Sequence, residues 1–179
     1  AGTHHVGALQ TLCAARRIAL LGAIFPALID GEHFASDGIV LHPLPTAKSH
    51  FLIDDLDGDP ATAAARIAAA LPADEPASRE TQSLFLVFDS MQPNTNTLLT
   101  HLFAGLGQRF HYSGVCAGSE SFQPMPCLFD GERLLGLGVL GFILPATQTI
   151  CVEHGYPVAK SLMRATSTQG NRIDRIDGK

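Results

Sequence analysis

The chain has 179 residues, with 12 Lys and Arg against 17 Asp and Glu, a formal net charge of -5, and 46% hydrophobic residues against 16% charged ones. This is the balance of a folded globular chain, and a mild acidic excess without a clustered basic face excludes nucleic acid as a main partner. No apolar run reaches the roughly 18 residues needed to cross a bilayer. Cys13, Cys116, Cys127 and Cys151 stand too far apart for a zinc ribbon, which makes reduced, mostly buried thiols in a cytoplasmic protein the default. The N-terminus shows no basic region leading into an apolar core, so no signal peptide is visible.

In chain order, the first predicted element is a helix from about Val6 to Arg16, with Leu9, Leu12 and Cys13 on one face and both arginines at its C-terminal end, where the macrodipole favours them. Ile18 to Phe25 reads as a buried strand ended by Pro26. Asp30-Gly31 and Asp37-Gly38 mark two turns, and Ile39 to Leu44 and His50 to Asp54 read as strands. Asp59-Pro60 is a strong helix start, with Asp59 able to cap and Pro60 suited to the first turn; the helix it opens carries Ala64, Ile67, Ala68 and Leu71 on one face. Pro72 to Glu80 is a polar surface connection. Leu84 to Phe88 is a buried strand, a helix capped by Asn94 or Asn96 carries Leu98, Leu99, Leu102, Phe103 and Leu106, and Phe110 to Val115 is the next strand. These three form a β-α-β unit whose strands are expected to be parallel. Leu128 to Leu144 reads as a hairpin about Asp130-Gly131 leading into a long strand, and the C-terminus as a second hairpin, Lys160–Thr166 and Arg172–Ile176, about Gln169-Gly170-Asn171. The fold class is therefore α/β: a mixed sheet layered with helices, containing β-α-β and β-hairpin units.

Three features carry candidate chemistry. Along the long strand, in Leu135 to Gly141, period-two alternation puts Gly136 and Gly138 on one face as a bare strip, open to a tightly packed neighbour or to a flat ligand. Of the eight histidines, His111 lies in a strand beside the Gly114–Gly118 turn and His154 beside a glycine near the end of the chain; these are the two best placed to ligate a metal or haem. Cys116, after a strand at a glycine turn, is the best nucleophile candidate, although Walker A, G-x-G-x-x-G, G-x-S-x-G and H-E-x-x-H are all absent. The ligand site is expected where Gly114, Cys116 and Gly118 meet Gly136, Gly138 and the His154-Gly155 junction.

The segment His154-Gly155-Tyr156-Pro157-Val158 through Ala165-Thr166 and Asn171-Arg172-Ile173-Asp174-Arg175-Ile176-Asp177-Gly178 resembles the run that opens the C-terminal half of the FIST family, two-part bacterial sensory domains also found in F-box proteins. Leu21–Ile29, Phe110–Gly118 and Phe129–Pro145 are similar to further family segments in order and spacing, with Gly114-Val115-Cys116 standing where the family has paired glycines. The resemblance implies a FIST N-terminal-like domain over residues 1–150, truncated at its start, followed by the opening hairpin of a FIST C-terminal-like domain over 151–179. It implies a non-catalytic sensor of a small ligand, amino-acid-like or haem with nitric oxide as in one branch. The implied signalling partner is a histidine kinase or a cyclic-diguanylate enzyme, and another copy of the chain could supply the missing strands as a homo-oligomer. Two readings compete with it: a cysteine-dependent hydrolase or transferase built on Cys116 with His111 or His154, and a protein-interaction module as in the F-box relatives.

Overall fold

The computed structural model describes residues 3–44, 49–56, 58–72, 82–121, 123–144, 161–169 and 172–179. In chain order these form α1 (His4–Ala15), β1 (Leu21–Ala23), β2 (Leu28–Asp30), β3 (His33–Ala35), β4 (His50–Ile53), α2 (Pro60–Ala70), β5 (Gln82–Asp89), α3 (Thr95–Leu106), β6 (Phe110–Ala117), β7 (Leu128–Asp130), β8 (Leu134–Leu135), β9 (Val139–Leu144), β10 (Ala165–Gln169) and β11 (Arg172–Ile176). The chain divides into two compact units, Ala1–Gln148 and Thr149–Lys179.

The helix start at Asp59-Pro60 follows from its local chemistry. The Asp59 carboxylate accepts from Thr62 Oγ1 and from Thr62 N, both at 2.8 Å, and those donors hold its carboxyl below the ordinary aspartate value. Ala64, Ile67 and Leu71 are buried and Ala68 partly so. The small Ala64 and Ala68 on this face let α2 lie close on a sheet.

That sheet has the order β4-β9-β5-β6. β5 and β6 pair in parallel, from Gln82 opposite Phe110 to Asp89 opposite Ala117, with α3 as the crossover. β9 is antiparallel to both β4 and β5, so β4 runs the same way as β5 although β9 separates them. One face packs Phe51, Leu84, Leu86, Phe88, Phe110, Val139 and Ile143 against α2 and α3. The other packs Leu52, Val87 and Leu140 against Val6 of α1 and Ile24, Cys127, Leu128 and Phe129 around the small sheet β1-β7-β8. A strand covered on both faces has no polar side, which is why Leu84 to Phe88 reads as a continuous apolar run. Each fully buried Leu or Ile in these two clusters contributes about 1.5–3 kcal/mol.

Four expectations are corrected by tertiary contacts. In α1 the buried residue is Val6, at 3% exposure, while Leu12 is 49% exposed; Gln10 Nε2 donates to the carbonyls of Asp130 and Arg133 and so fixes the helix on the β7–β8 turn with the Val6-Gln10-Cys13 stripe inward. The strand expected over Ile18 to Phe25 shrinks to β1, and Ile18 is exposed. Ile39 to Leu44 joins no sheet. The long strand after the Asp130 turn is two strands in two sheets: β8 returns along β7 and β9 enters the large sheet. Between them Leu137 takes φ +48°, a left-handed conformation unfavourable for a branched side chain.

In the second unit, β10 and β11 pair antiparallel with register shifts near Ser167. Asp177 Oδ1 accepts from Arg164 N at 2.9 Å, and Thr166 Oγ1 from Gly178 N at 2.9 Å. The first strand starts at Ala165 instead of Lys160; Lys160, the Gly170-Asn171 turn and most of the Pro72–Glu80 connection lie outside the described residues.

Candidate functional site

The residues singled out in the sequence fall into two places. Gly118, Gly136 and Gly138 gather around the end of β5, where Asp89 is 2% exposed. Asp89 Oδ1 accepts from Met91 N and Oδ2 from Leu137 N, each at 2.8 Å. The second bond holds the left-handed Leu137 in place, and both satisfy a carboxylate that would otherwise be costly to bury. The Cys127 thiol lies near this carboxylate; burial first, then the Asp89 carboxylate, push the thiol up to about 12. Cys127 is therefore an inert, neutral thiol.

The three glycines permit this packing. Gly118 has φ +138°, and a Cβ there would come within 2.5 Å of Ser90 Oγ. Its N–H donates to Ile24 O at 2.8 Å, and Ser90 N donates to Ala117 O. A Cβ on Gly136 would stand 3.0 Å from Met125 O and 3.1 Å from Asp89 Oδ2, and one on Gly138 would overlap Ile53 O. Gly136 and Gly138 do not form a strip on one strand face, because both belong to the link between β8 and β9. Nearby, Gln92 Nε2 donates to Leu56 O at 2.7 Å and joins the loops after β4 and β5.

Gly114 and Cys116 lie elsewhere, on the wall of a cleft of about 310 Å³ between α3 and the edge strand β6. Leu86, Phe88, Thr95, Leu99 and Tyr112 are among its other lining residues. The alternation of β6 turns Phe110, Tyr112, Gly114 and Cys116 toward α3. A Cβ on Gly114 would overlap Leu86 O of the paired strand β5, so glycine here lets β6 lie close against β5 at the cleft wall. Below it, Tyr112 Oη donates to Gly107 O at 2.8 Å and its ring meets Phe103 edge-on at 5.6 Å, tying the end of α3 to β6; burial raises the phenol above its ordinary value. Cys116 is exposed, contrary to the expectation of a buried thiol.

His111 is exposed on the opposite face of β6 from Gly114 and Cys116, and His154 lies outside the described residues. Among the described residues no group of three His, Cys, Asp or Glu could hold a metal ion, and no helix is long and apolar enough to cross a membrane. Sequence reasoning missed Asp89, whose signal was a single carboxylate ending an apolar strand. It also missed Thr95 and Leu99 as cleft residues, since helical periodicity alone placed Leu99 in the core.

These features define an α/β domain with a ligand-sized cleft at the helix-covered edge of its main sheet. The model of the FIST N domain matches residues 3–179, and the chain belongs to the FIST family. FIST domains are sensory domains of signalling proteins. Comparison with curated proteins found no match, and neither did comparison with solved structures.

Proposed function

We propose that this chain is a non-catalytic, cytoplasmic sensory domain that binds a small molecule of amino-acid size in the α3–β6 cleft. It relays binding to a signalling partner of the histidine kinase or cyclic-diguanylate enzyme class. The observation that supports this reading is the cleft itself. Its volume of about 310 Å³ lies at the small end of the range for ligand pockets, and Gly114 and Cys116 stand in its wall. It lies between a helix and an edge strand, so an occupant would bear on the position of α3.

The described lining holds no imidazole or carboxylate beside Cys116, which leaves that thiol without the base a nucleophile needs. A haem held by His111 does not fit this cleft, because an axial imidazole must point into the apolar slot and His111 projects from the other face of β6.

The test is a thermal-shift screen of the chain against the standard amino acids, with hemin absorbance in parallel. A ligand present at one hundred times its dissociation constant adds about 2.7 kcal/mol, a rise of roughly 5–10 °C for a chain of this size. Cys116→Phe, at an exposed position, fills the cleft and removes the shift while leaving the ligand-free midpoint close to wild type. A shift that survives Cys116→Phe, or one-to-one saturation of a Soret band by hemin with no amino-acid response, overturns the reading.

A further inference from the structure

Two segments leave apolar faces uncovered, and their charges are opposite. From Leu28 to Leu44 the chain makes one two-stranded hairpin, β2 with β3, then runs on from Gly38 to Leu44 outside any sheet. Along this arm Ile29, Phe34, Ile39, Val40 and Leu41 are exposed, Phe34 by 80%. A contiguous exposed apolar patch of this kind marks an interaction surface. Ile29, Ile39, Val40 and Leu41 also border a groove of about 480 Å³ against α1 and β1, deep enough to seat a side chain. The arm carries Asp30, Glu32 and Asp37 and no Lys or Arg.

The terminal hairpin is the converse. Its described residues are all exposed, Leu162 by 93%, with Met163, Ile173 and Ile176 also in solvent. Among the described residues it pairs with no third strand. It carries Arg164, Arg172, Arg175 and Lys179 against Asp174 and Asp177. Arg172 pairs with Asp174 at 2.7 Å, whereas among the described residues the Arg164 and Arg175 side chains meet no carboxylate.

We propose that the acidic arm of one copy of this chain receives the basic terminal hairpin of a second copy. The exposed apolar side chains of the two segments leave water together, and Arg164 and Arg175 face the arm's carboxylates at the rim, where opposite charge sets partner choice and encounter rate. Exchange in both directions closes a two-fold dimer in which each copy gives one arm and one hairpin.

The test is sedimentation equilibrium of the whole chain over a range of concentration and salt. Wild type dimerises, and more weakly as salt rises. Phe34→Asp and Ile173→Asp, both at exposed positions, each weaken the dimer by about tenfold or more. The double variants Glu32→Lys with Asp37→Lys, and Arg164→Glu with Arg175→Glu, each dissociate alone. Mixed together they restore the dimer, because each arm then meets a hairpin of opposite sign. A monomer at every concentration up to about 100 μM, a dimer indifferent to these substitutions, or no recovery on mixing overturns the proposal.

Discussion

Replacing Gly138 by alanine separates close packing from a ligand floor. An added Cβ would overlap the carbonyl oxygen of Ile53 and stand 2.9 Å from Leu135 Cδ1 and 3.3 Å from Asp54 Cα. Leu135 can turn its side chain away, but Ile53 pairs with Val139 in the β4–β9 ladder, so its oxygen moves only if the ladder moves. Overpacking of this kind costs about 1–3 kcal/mol. The Leu56 N to Leu137 O and Asp89 N to Gly138 O bonds beside it add about 1 kcal/mol for each one lost. Reduced freedom of the unfolded chain returns about 0.4–1 kcal/mol. At the middle of each range, with one or both bonds lost, the net loss is about 2–3 kcal/mol, or roughly 4–12 °C in melting temperature. Gly131→Ala, where an added Cβ meets nothing within 4 Å, is the control and stays within about 0.5 kcal/mol. Urea unfolding of the three proteins measures the difference, and the rate of Cys116 alkylation by iodoacetamide well below the midpoint reports on the cleft, which Gly138 does not line. The reasoning is refuted if Gly138→Ala keeps the wild-type urea midpoint, or if Cys116 alkylation changes while stability does not.

Asp89→Ala strips the acceptor from two partly buried backbone N–H groups and releases the left-handed Leu137; a loss of about 2–4 kcal/mol is expected in chemical denaturation, and Asp89→Asn, which keeps one carbonyl oxygen, should lose less. Cys116 should react with iodoacetamide at neutral pH at the rate of an ordinary exposed thiol, while Cys127 stays unlabelled until the protein unfolds. Because the folded-state value of Cys127 is raised from 9.0 to about 12, the fold favours the protonated thiol. The stability it contributes is complete below 9 and is lost as pH rises toward 12. A Cys127→Ser variant should show a shallower decline over that window in pH-dependent unfolding, and an unchanged slope would contradict the assignment.

Much of the fold could be read from short stretches of sequence. Asp59 and Pro60 start α2 because a carboxylate cap and a fixed φ act within one turn. The apolar run Leu84–Phe88, the helix to Leu106 and the strand from Phe110 specify a parallel unit because that connection leaves few other ways to return to the sheet. Asp130 makes its turn by accepting from Glu132 N and Arg133 N, and the terminal hairpin likewise lies within one local stretch. The family match spans these same pieces, from residue 3 to 179. The tertiary structure decided what depends on distant partners. Leu135 to Gly141 has the pattern of one strand, yet it breaks at Leu137 because Asp89, 48 residues away, holds that N–H and because β9 finds its partners in β4 and β5. Ile39 to Leu44 has the composition of a strand and stays unpaired because a strand exists only with a neighbour in register. The candidate residues separated for the same reason: Gly118, Gly136 and Gly138 are drawn into packing around Asp89, while Gly114, packed against the Leu86 backbone, and Cys116 line the cleft under α3. Alternation along a strand tells which residues share a face, and only the packing of distant elements tells which face is left open.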